Sequence, residues 1–224
     1  LDVSTNTKIT ELLLVNNKNL TSIDVSHNKM LANLELGDND GLTNLDISNT
    51  SIPGIDIAQS TAITDLRISN TIFTELDLSK NEALVHLTAN NTALTKLDLG
   101  SNHALATIVL TNNTALSSLN VMNTLLSTLD VSTNVNISML NLTNTTKVLS
   151  LDLSLNINIT SLNAEGTALN SLIIKNKNNT SIANFQTANS PNLTCILVDD
   201  ATYSAKNWTA IGSKTRFSDT NCNN

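Results

Sequence analysis

The chain has 224 residues, of which 40% are hydrophobic, 14% are charged and 2% are aromatic. Six glycines exclude a collagen-like repeat, the apolar content argues against a disordered tail, and no apolar run is long enough to span a membrane. The net charge of −7 argues against nucleic acid and anionic membranes as partners, because both require clusters of Lys and Arg. A core built from aliphatic side chains almost without aromatics favours one small layer copied many times.

A Leu, Ile or Phe recurs every ten or eleven residues, with one longer step of thirteen between Leu172 and Phe185. We call this residue position 1 of a unit; position 3 is also apolar, position 6 is polar, and an apolar residue returns near position 9. The chain opens inside this pattern at Leu1, so we expect it to be a mature fragment of a longer protein. The position-1 residues are Leu1, Leu12, Ile23, Leu34, Leu45, Ile55, Leu66, Leu76, Leu87, Leu97, Ile108, Leu119, Leu129, Leu140, Leu151, Leu162, Leu172, Phe185 and Ile196.

Positions 1 to 3 of each unit predict a short strand whose two apolar side chains point inward. Position 6 closes a turn, and two units, 21 or 22 residues, make one coil. Burying about six aliphatic side chains gains roughly 1.5–3 kcal/mol each, but ordering each residue of the coil costs about 1–2 kcal/mol. A single coil therefore cannot stand alone, and we predict a stack of coils with strands about 4.8 Å apart.

The residue at position 6 changes with the length of the unit. Most eleven-residue units have Asn there, for example Asn28 and Asn102, whereas all five ten-residue units have Thr, for example Thr50 and Thr124. Asn can bond backbone groups around a wider corner, whereas a shorter corner leaves room only for a hydroxyl. We predict an inward ladder that bonds the backbone from coil to coil, rather than a polar binding surface.

The segment Leu31–Asn39 fits the leucine-rich-repeat signature Leu-x-x-Leu-x-Leu-x-x-Asn. With nested Leu-Asp-Leu-Ser motifs such as Leu76–Ser79 and Leu151–Ser154, residues 1–195 resemble the 21-residue class of bacterial leucine-rich-repeat proteins. The resemblance implies a mainly β, right-handed leucine-rich-repeat solenoid of about nine coils of 21–22 residues with little helix. It also implies a secreted or cell-surface location. The phase departs from a strict repeat, because two ten-residue steps move the Leu-Asp motif to the other half of the coil.

The repeat pattern breaks near the C-terminus. We assign 1–195 to the solenoid and 196–224 to a C-terminal cap, because the open apolar end of a solenoid must be covered. The tail contains Tyr203, Trp208 and Phe217, which are suited to that role.

Cys195 and Cys222 are the two cysteines of the chain, and the sequence alone allows either free thiols or one disulfide. Tails that run from one Cys through Tyr and Trp to a final Cys are also seen at the ends of similar bacterial proteins. The resemblance to secreted proteins therefore favours a disulfide between the two.

Position 2 points outward in the predicted strands and forms one row on each side of the solenoid. Stacked carboxylates about 5 Å apart repel by nearly 1 kcal/mol even in water. One interpretation is a weak calcium site at Glu35, Asp56, Asp77 and Asp98. The other, which we favour, is stabilisation of each Asp by Ser hydroxyls and turn amides. The candidate binding residues in these exposed acidic rows are Asp24, Asp46, Glu35, Asp56, Asp77, Asp98, Asp130 and Asp152.

No catalytic motif is present in the sequence. The three histidines, His27, His86 and His103, occupy different unit positions and share no row. The sequence has no Gly-rich phosphate loop, nucleophile elbow, Cys-x-x-Cys or His-Glu-x-x-His motif. We therefore expect no enzymatic activity, no catalytic residues and no cofactor.

The leading hypothesis is a non-enzymatic recognition or adhesion module that binds a protein or another macromolecule through an acidic solenoid face. One alternative is a structural spacer that displays neighbouring domains. Another is a carbohydrate-binding accessory of a polysaccharide-degrading system, although the repeats offer only Phe73 and Phe185 for stacking on sugar rings. The expected partner is a protein or a surface polysaccharide; neither nucleic acid nor membrane insertion is expected.

Overall fold

The computed structural model describes residues 1–222. The chain forms a solenoid of about ten turns, and each coil presents one strand segment on each of two opposite sides, face A and face B. Face A carries β1 (Glu11–Leu13), β3 (Asn33–Glu35), β7 (Lys96–Asp98), β9 (Ser118–Asn120), β10 (Met139–Asn141), β12 (Ser161–Asn163) and β14 (Asn184–Gln186). Face B carries β2 (Ser22–Asp24), β4 (Asn44–Asp46), β5 (Asp65–Arg67), β6 (His86–Thr88), β8 (Thr107–Val109), β11 (Ser150–Asp152), β13 (Ser171–Ile174), β15 (Cys195–Val198) and β16 (Arg216–Ser218).

The strands pair in parallel with equivalent unit positions side by side, as the repeat predicts. Leu12 lies beside Leu34, and Leu119 lies beside Leu140. Each face is divided into two sheets: β1-β3 and β7-β9-β10-β12-β14 on face A, and β2-β4-β5-β6-β8 and β11-β13-β15-β16 on face B. The division of each face into two sheets is not apparent from the spacing of the leucines.

The strands begin one residue earlier than the sequence predicts. Most run from the residue before position 1 to position 2, so that position 1 is their centre, whereas β13 and β15 continue to position 3. Position 3 is also buried but lies just beyond most strands, because its carbonyl accepts a hydrogen bond within the following turn. Asn28 N–H donates to Val25 O at 2.9 Å, and Thr145 N–H donates to Leu142 O at 3.1 Å. The residue before position 1 therefore faces outward, which the sequence prediction missed.

The core is a continuous column of Leu, Ile and Val from positions 1, 3 and 9, as predicted. Phe73 is fully buried within this column. Among residues 1–222, the helical segments are the α-helix α1 (Ala201–Asn207) and a short 3-10 turn at Asn179–Ser181. The leucine-rich-repeat solenoid, mainly β with little helix, is confirmed. No helix in this part of the chain is long and apolar enough to cross a membrane.

The position-6 ladder is buried from Asn28 to Thr167, as predicted, whereas Asn6 and Asn17 of the first units are exposed. Its buried Asn side chains connect successive coils. Asn102 Nδ2 donates to Leu78 O at 3.1 Å and to Asn81 O at 2.8 Å, both in the preceding coil. The Thr side chains behave differently, since Thr124 Oγ1 donates to Val121 O of its own turn at 2.7 Å. Two Thr hydroxyls also reach the next coil, since Thr92 Oγ1 donates to Asn113 Oδ1 at 2.7 Å and Thr167 Oγ1 lies 3.0 Å from Ser190 Oγ. The predicted coil-to-coil bonding therefore holds for most of the ladder Asn residues and for these two Thr residues.

The C-terminal tail covers the end of the core. Trp208 is buried, stacks on Phe185 with ring centroids 4.2 Å apart, and meets Phe217 edge-on at 5.7 Å. Asp200 is the N-cap of α1, and its side chain accepts the N–H of Tyr203 at 2.8 Å. Of the predicted cap rings, Trp208 and Phe217 cluster with Phe185 from the last repeats, whereas Tyr203 reaches Thr180 O with its hydroxyl at 3.4 Å.

The disulfide between Cys195 and Cys222 is present, with Cα atoms 5.7 Å apart. It ties the end of the described chain to β15, and β16 then adds one more strand to the same sheet. The tail thus extends the stack beyond the nine coils predicted. The division into domains at residue 195 stays a prediction, and β15 begins at that point.

Candidate functional site

The position-2 residues form the outward rows that the sequence predicts wherever the strands pair. On face B, Asp46 lies beside Asp24 on one side and Arg67 on the other. On face A, Asp98 lies beside Asn120. We call Glu35, Asp56, Asp77 and Asp98 the acidic row of face A; all four side chains are exposed.

A second outward row on each face was missed at the sequence level. It consists of the residue before position 1, and on face A it adds two exposed carboxylates, Glu11 and Glu75, and one cation, Lys96. On face B this row contains Asp65, whose Oδ1 pairs with Arg67 Nε at 3.0 Å. The signal that could have found this row is the frequency of polar residues immediately before each position-1 leucine.

Each position-2 Asp closes its own turn, because its Oδ1 accepts the backbone N–H two residues ahead. Asp77 Oδ1 accepts the N–H of Ser79 at 2.9 Å, and Asp56 Oδ1 accepts the N–H of Ala58 at 3.0 Å. This side-chain turn is a common local arrangement for Asp and Asn. The same bond is made by Asp2, Asp24, Asp46, Asp98, Asp130 and Asp152.

These turn hydrogen bonds favour the charged carboxylate. The hydroxyl of Ser26, which donates to Asp24 Oδ1 at 2.7 Å, and the N–H of the same residue hold the pKa of Asp24 below its usual value. The backbone N–H of Ser79 lowers the pKa of Asp77, and the hydroxyl and N–H of Ser132 lower that of Asp130. The interpretation that Ser and turn amides stabilise the acidic rows is confirmed at these positions.

The weak calcium site at the acidic row stays a prediction. Within residues 1–222, no three His, Cys, Asp or Glu side chains form a group that could hold a metal ion. One oxygen of Asp56, Asp77 and Asp98 is already engaged by its turn. The other carboxylate oxygen accepts no hydrogen bond from the described residues and is available to a partner.

Face A changes character after Asp98. The position-2 row continues as Asn120, Asn141, Asn163 and Gln186, which lie beside one another in register. The three Asn residues close their turns with Oδ1 in the same way as Asp, for example Asn141 Oδ1 with the N–H of Thr143 at 3.1 Å. Asn can therefore replace Asp in the turn, and the negative charge of the acidic row is not required by the local backbone.

The aromatic residues of the repeats do not provide a platform for sugar rings. Phe73 is fully buried in the column of aliphatic residues, and Phe185 is 5% exposed beneath Trp208. Ring stacking of a carbohydrate on either of these two residues would require the core to open.

The contact between strand segments of successive coils on one face takes two forms. In a closed joint the strands pair and the position-3 N–H donates to the position-2 carbonyl of the next coil, as from Ile68 to Thr88 at 2.9 Å. In an open joint, residues 1–222 show neither the strand pairing nor this bond. Open joints precede Ile23, Ile55, Leu76, Leu97, Leu129 and Leu151.

Every open joint precedes a unit with Asp at position 2, and the acidic row of face A spans three of them in succession. Closed joints are mostly followed by a residue of positive φ, usually Asn at position 5, such as Asn70 with φ of 58°. Its N–H donates to the next coil, at Asn90 O, 2.9 Å away. Asp46 is a position-2 Asp whose unit follows a closed joint, the pairing of β2 with β4, and the same unit has Asn49 at position 5 with φ of 61°.

Shallow clefts lie at two of the acidic open joints, and a smaller cleft of about 190 Å³ lies at the closed joints around Asp24, Asp46 and Arg67. A cleft of about 360 Å³ on face A is lined by Asp56, Asp77, Lys80 and the apolar residues around Ile55. A cleft of about 320 Å³ on face B lies between Asp130 and Asp152. Both clefts at the open joints combine carboxylates with an apolar floor.

No protein-family model and no curated protein matches this chain. It is similar to the functional domain of InlJ from Listeria monocytogenes, at 27% identity and a TM-score of 0.33, covering 84% of this chain and 51% of that structure. It is similar to a leucine-rich-repeat protein of Leptospira interrogans at 16% identity and a TM-score of 0.31, and the match covers 99% of this chain and 70% of that structure. It is also similar to internalin C2 of Listeria monocytogenes at 15% identity and a TM-score of 0.29, and the match covers 80% of this chain and 82% of that structure. This chain spans about half the length of the InlJ structure.

Proposed function

We propose that this chain is a non-enzymatic recognition module that binds a protein with a cationic surface through the acidic row of face A. The observation that carries the proposal is the exposed, regularly spaced charge of that row. Within residues 1–222, no ion pair neutralises Glu35, Asp56, Asp77 or Asp98. Because Asn serves equally well in the same turns, the charge is free for an intermolecular role.

The acidic residues of face B form secondary contact regions in this proposal. Asp24 and Asp46 lie close to Arg67, whose pKa is raised by the neighbouring carboxylates, first of all Asp65. Their charge is therefore partly compensated. Asp130 and Asp152 are exposed, make no ion pair within residues 1–222, and extend the acidic surface towards the C-terminus.

The proposed setting is extracellular. A disulfide is formed and kept in oxidising compartments and is uncommon in the cytosol, which supports a secreted or cell-surface location. Electrostatic recognition on such a surface acts mainly through the association rate and specificity, and it weakens with salt.

The test replaces Asp56, Asp77 and Asp98 together by Asn, which keeps the turn hydrogen bonds and removes three charges. Binding of the purified chain to an array of extracellular proteins is measured at low and at physiological ionic strength. We expect basic proteins to be bound by the unmodified chain, and the triple variant to lose about tenfold in affinity for them.

The control variant removes the same charge from exposed turns outside the row, by Asp38→Asn, Asp40→Asn and Glu82→Gln. It should retain the affinity of the unmodified chain. Equal loss in both triple variants would show that only net charge matters and would contradict the proposal. Binding to a glycan array alone would favour the carbohydrate alternative, and binding to neither array would favour the structural spacer.

A further inference from the structure

Five of the six open joints are grouped into two blocks on opposite faces, and the sixth, before Ile23, lies in the first coils. On face A, three successive joints between β3 and β7 are open, whereas on face B the strands at the same height, β4, β5, β6 and β8, are all paired. On face B, both joints between β8 and β11 are open, and there the paired strands β9, β10 and β12 lie on face A. Each block of open joints thus lies opposite a continuous sheet.

We propose that these two blocks are hinges that let the solenoid bend in opposite directions. Where one face is paired and the other is not, the paired sheet keeps its strand spacing while the spacing on the open face can change. Opening the face A block bends the solenoid towards face B, and opening the face B block bends it towards face A. Hinge motion concentrates where few backbone hydrogen bonds must break.

The ladder Asn residues keep the coils together at the open joints. At five of the six, a buried Asn donates both of its N–H groups to the preceding coil, as Asn81 does to Ile57 O at 3.0 Å and to Ser60 O at 2.9 Å. The Oδ1 atoms of these Asn residues accept no hydrogen bond from residues 1–222. At closed joints, by contrast, Asn113 Oδ1 accepts the N–H of Thr92 at 2.7 Å. The coils at open joints are therefore tied at the turn, and along the strand segments the described residues show only one backbone hydrogen bond, from Thr95 N–H to Thr74 O at 3.2 Å.

The carboxylates oppose closure of the open joints, and on face A one cation offsets part of this repulsion. Asp56 and Asp77 line the same cleft on face A together with Lys80, whose charge adds to the effect of the Ser79 hydrogen bonds in lowering the pKa of Asp77. Asp130 and Asp152 line a cleft on face B. Both residues of each pair are at position 2, so closing the joint would bring their carboxylates to the spacing of paired strands, about 4.8 Å. Like charges at that distance repel, and salt screens the repulsion.

This inference deepens the proposed function, on which its biological role rests, because a cationic partner on the acidic row would draw the coils of face A together. The bending itself exists without a partner and is tested without one. Failure of the binding experiment and failure of the hinge experiment are therefore distinguishable.

The experiment measures distance distributions between pairs of spin labels by pulsed electron paramagnetic resonance. One pair, Ala32→Cys with Thr95→Cys, spans the three open joints of face A. The matched pair, Asn44→Cys with Thr107→Cys, spans three closed joints of face B over the same number of residues. The native cysteines are joined in the disulfide, so the labels attach to the introduced thiols.

We expect the distribution of the face A pair to be about twice as wide as that of the face B pair at low salt. It should narrow towards about 1 M salt, where the Debye length is roughly 3 Å. It should also narrow at low salt when Asp56→Asn and Asp77→Asn are added. Equal widths of the distance distributions for the two pairs would overturn the hinge. A face A distribution whose width changes neither with salt nor with the two Asn substitutions would overturn the role of the carboxylates.

Hydrogen exchange on the unmodified chain provides a second measurement that needs no substitution. The amides of Ile57 and Leu78 should exchange at least about tenfold faster than those of Ile68 and Ala89, which donate to the next coil. The amide of Ile63, bonded within its turn beside the open block, should become less protected at low salt than at high salt if the coils separate. Uniform and salt-independent protection across these amides would contradict the hinge.

Discussion

At the scale of single residues, the position-2 side chain is a backbone element as much as a surface group. Asp77 and Asn141 form the same bond with the N–H two residues ahead, at 2.9 Å and 3.1 Å. The two residues differ in charge: the acidic row of face A is negatively charged, whereas the position-2 residues of the later coils on this face are neutral. The sequence contains this distinction, and it identified the acidic rows. It could not identify the second outward row, because the strand begins one residue before the position that the leucine spacing suggests.

The lowered pKa values predict how stability depends on pH. A carboxyl whose pKa is lower in the folded state stabilises that state above its unfolded pKa of about 3.9 and loses the contribution as the pH falls through the folded value. We expect the free energy of unfolding to decline below about pH 4. In Asp130→Asn the decline should be shallower, with stability at pH 7 nearly unchanged because Asn also closes the turn. Urea unfolding across this pH range measures both.

The control for that measurement is Asp38→Asn, which removes an exposed carboxyl that makes no hydrogen bond with a turn within the described residues. It should leave the slope of stability against pH as in the unmodified chain. An unchanged acid slope in Asp130→Asn would show that the Ser132 contacts do not influence the charged state of this residue.

At the scale of elements, the coil is held by two different contacts, strand pairing and the position-6 ladder. The leucine spacing predicts both, since it requires stacked coils and an inward polar row. It does not predict which joints are closed, because closed joints go with a positive-φ residue after the strand, such as Asn70, and the side-chain turn occurs at closed joints too, as at Asp46. That rule lies in positions 2 and 5, whose residues do not contribute to the apolar periodicity.

The ladder can be tested at Asn102, which is fully buried and donates to two carbonyls of the preceding coil. Asn102→Ala removes these two donors, while Leu78 O and Asn81 O each keep a backbone N–H donor, from Asn81 and Leu84. At about 0.5–1.5 kcal/mol net for each hydrogen bond lost, we expect a loss of roughly 1–3 kcal/mol in the free energy of unfolding. Urea unfolding followed by circular dichroism measures the change.

The matched control is Asn192→Ala, an exposed Asn in a turn that makes no side-chain hydrogen bond within residues 1–222. Its effect should stay within about 0.5 kcal/mol. A similar small effect at Asn102 would mean that water replaces the ladder bonds without cost.

At the scale of the whole molecule, the stack is closed at its C-terminal end by the tail and the disulfide. The sequence predicted the cap residues Trp208 and Phe217, and its resemblance to secreted repeat proteins predicted the disulfide. It did not predict that β16 would continue the sheet of β15, because Arg216–Ser218 lacks the Leu-x-Leu pattern. Pairing with an existing strand edge decided the conformation there.

Removing the disulfide should destabilise the folded chain without changing the repeat fold. The bond closes a loop with a sequence separation of 27 residues, for which the chain-entropy model gives about 3–4 kcal/mol. We expect Cys195→Ala with Cys222→Ala to lose up to this amount in urea unfolding. The far-ultraviolet circular dichroism of the double variant should remain that of the unmodified chain. No loss at all would show that the tail is held by its aromatic contacts alone.

The position of Trp208 makes its fluorescence a probe of the C-terminal end of the solenoid. It is the single tryptophan of the chain and is packed between Phe185 and Phe217, far from the first coils. Its emission therefore reports whether the last coils are intact, whereas circular dichroism averages over all of them. In a solenoid, where each coil contacts only its neighbours, the two signals need not change together. Comparing them would reveal from which end the stack unravels.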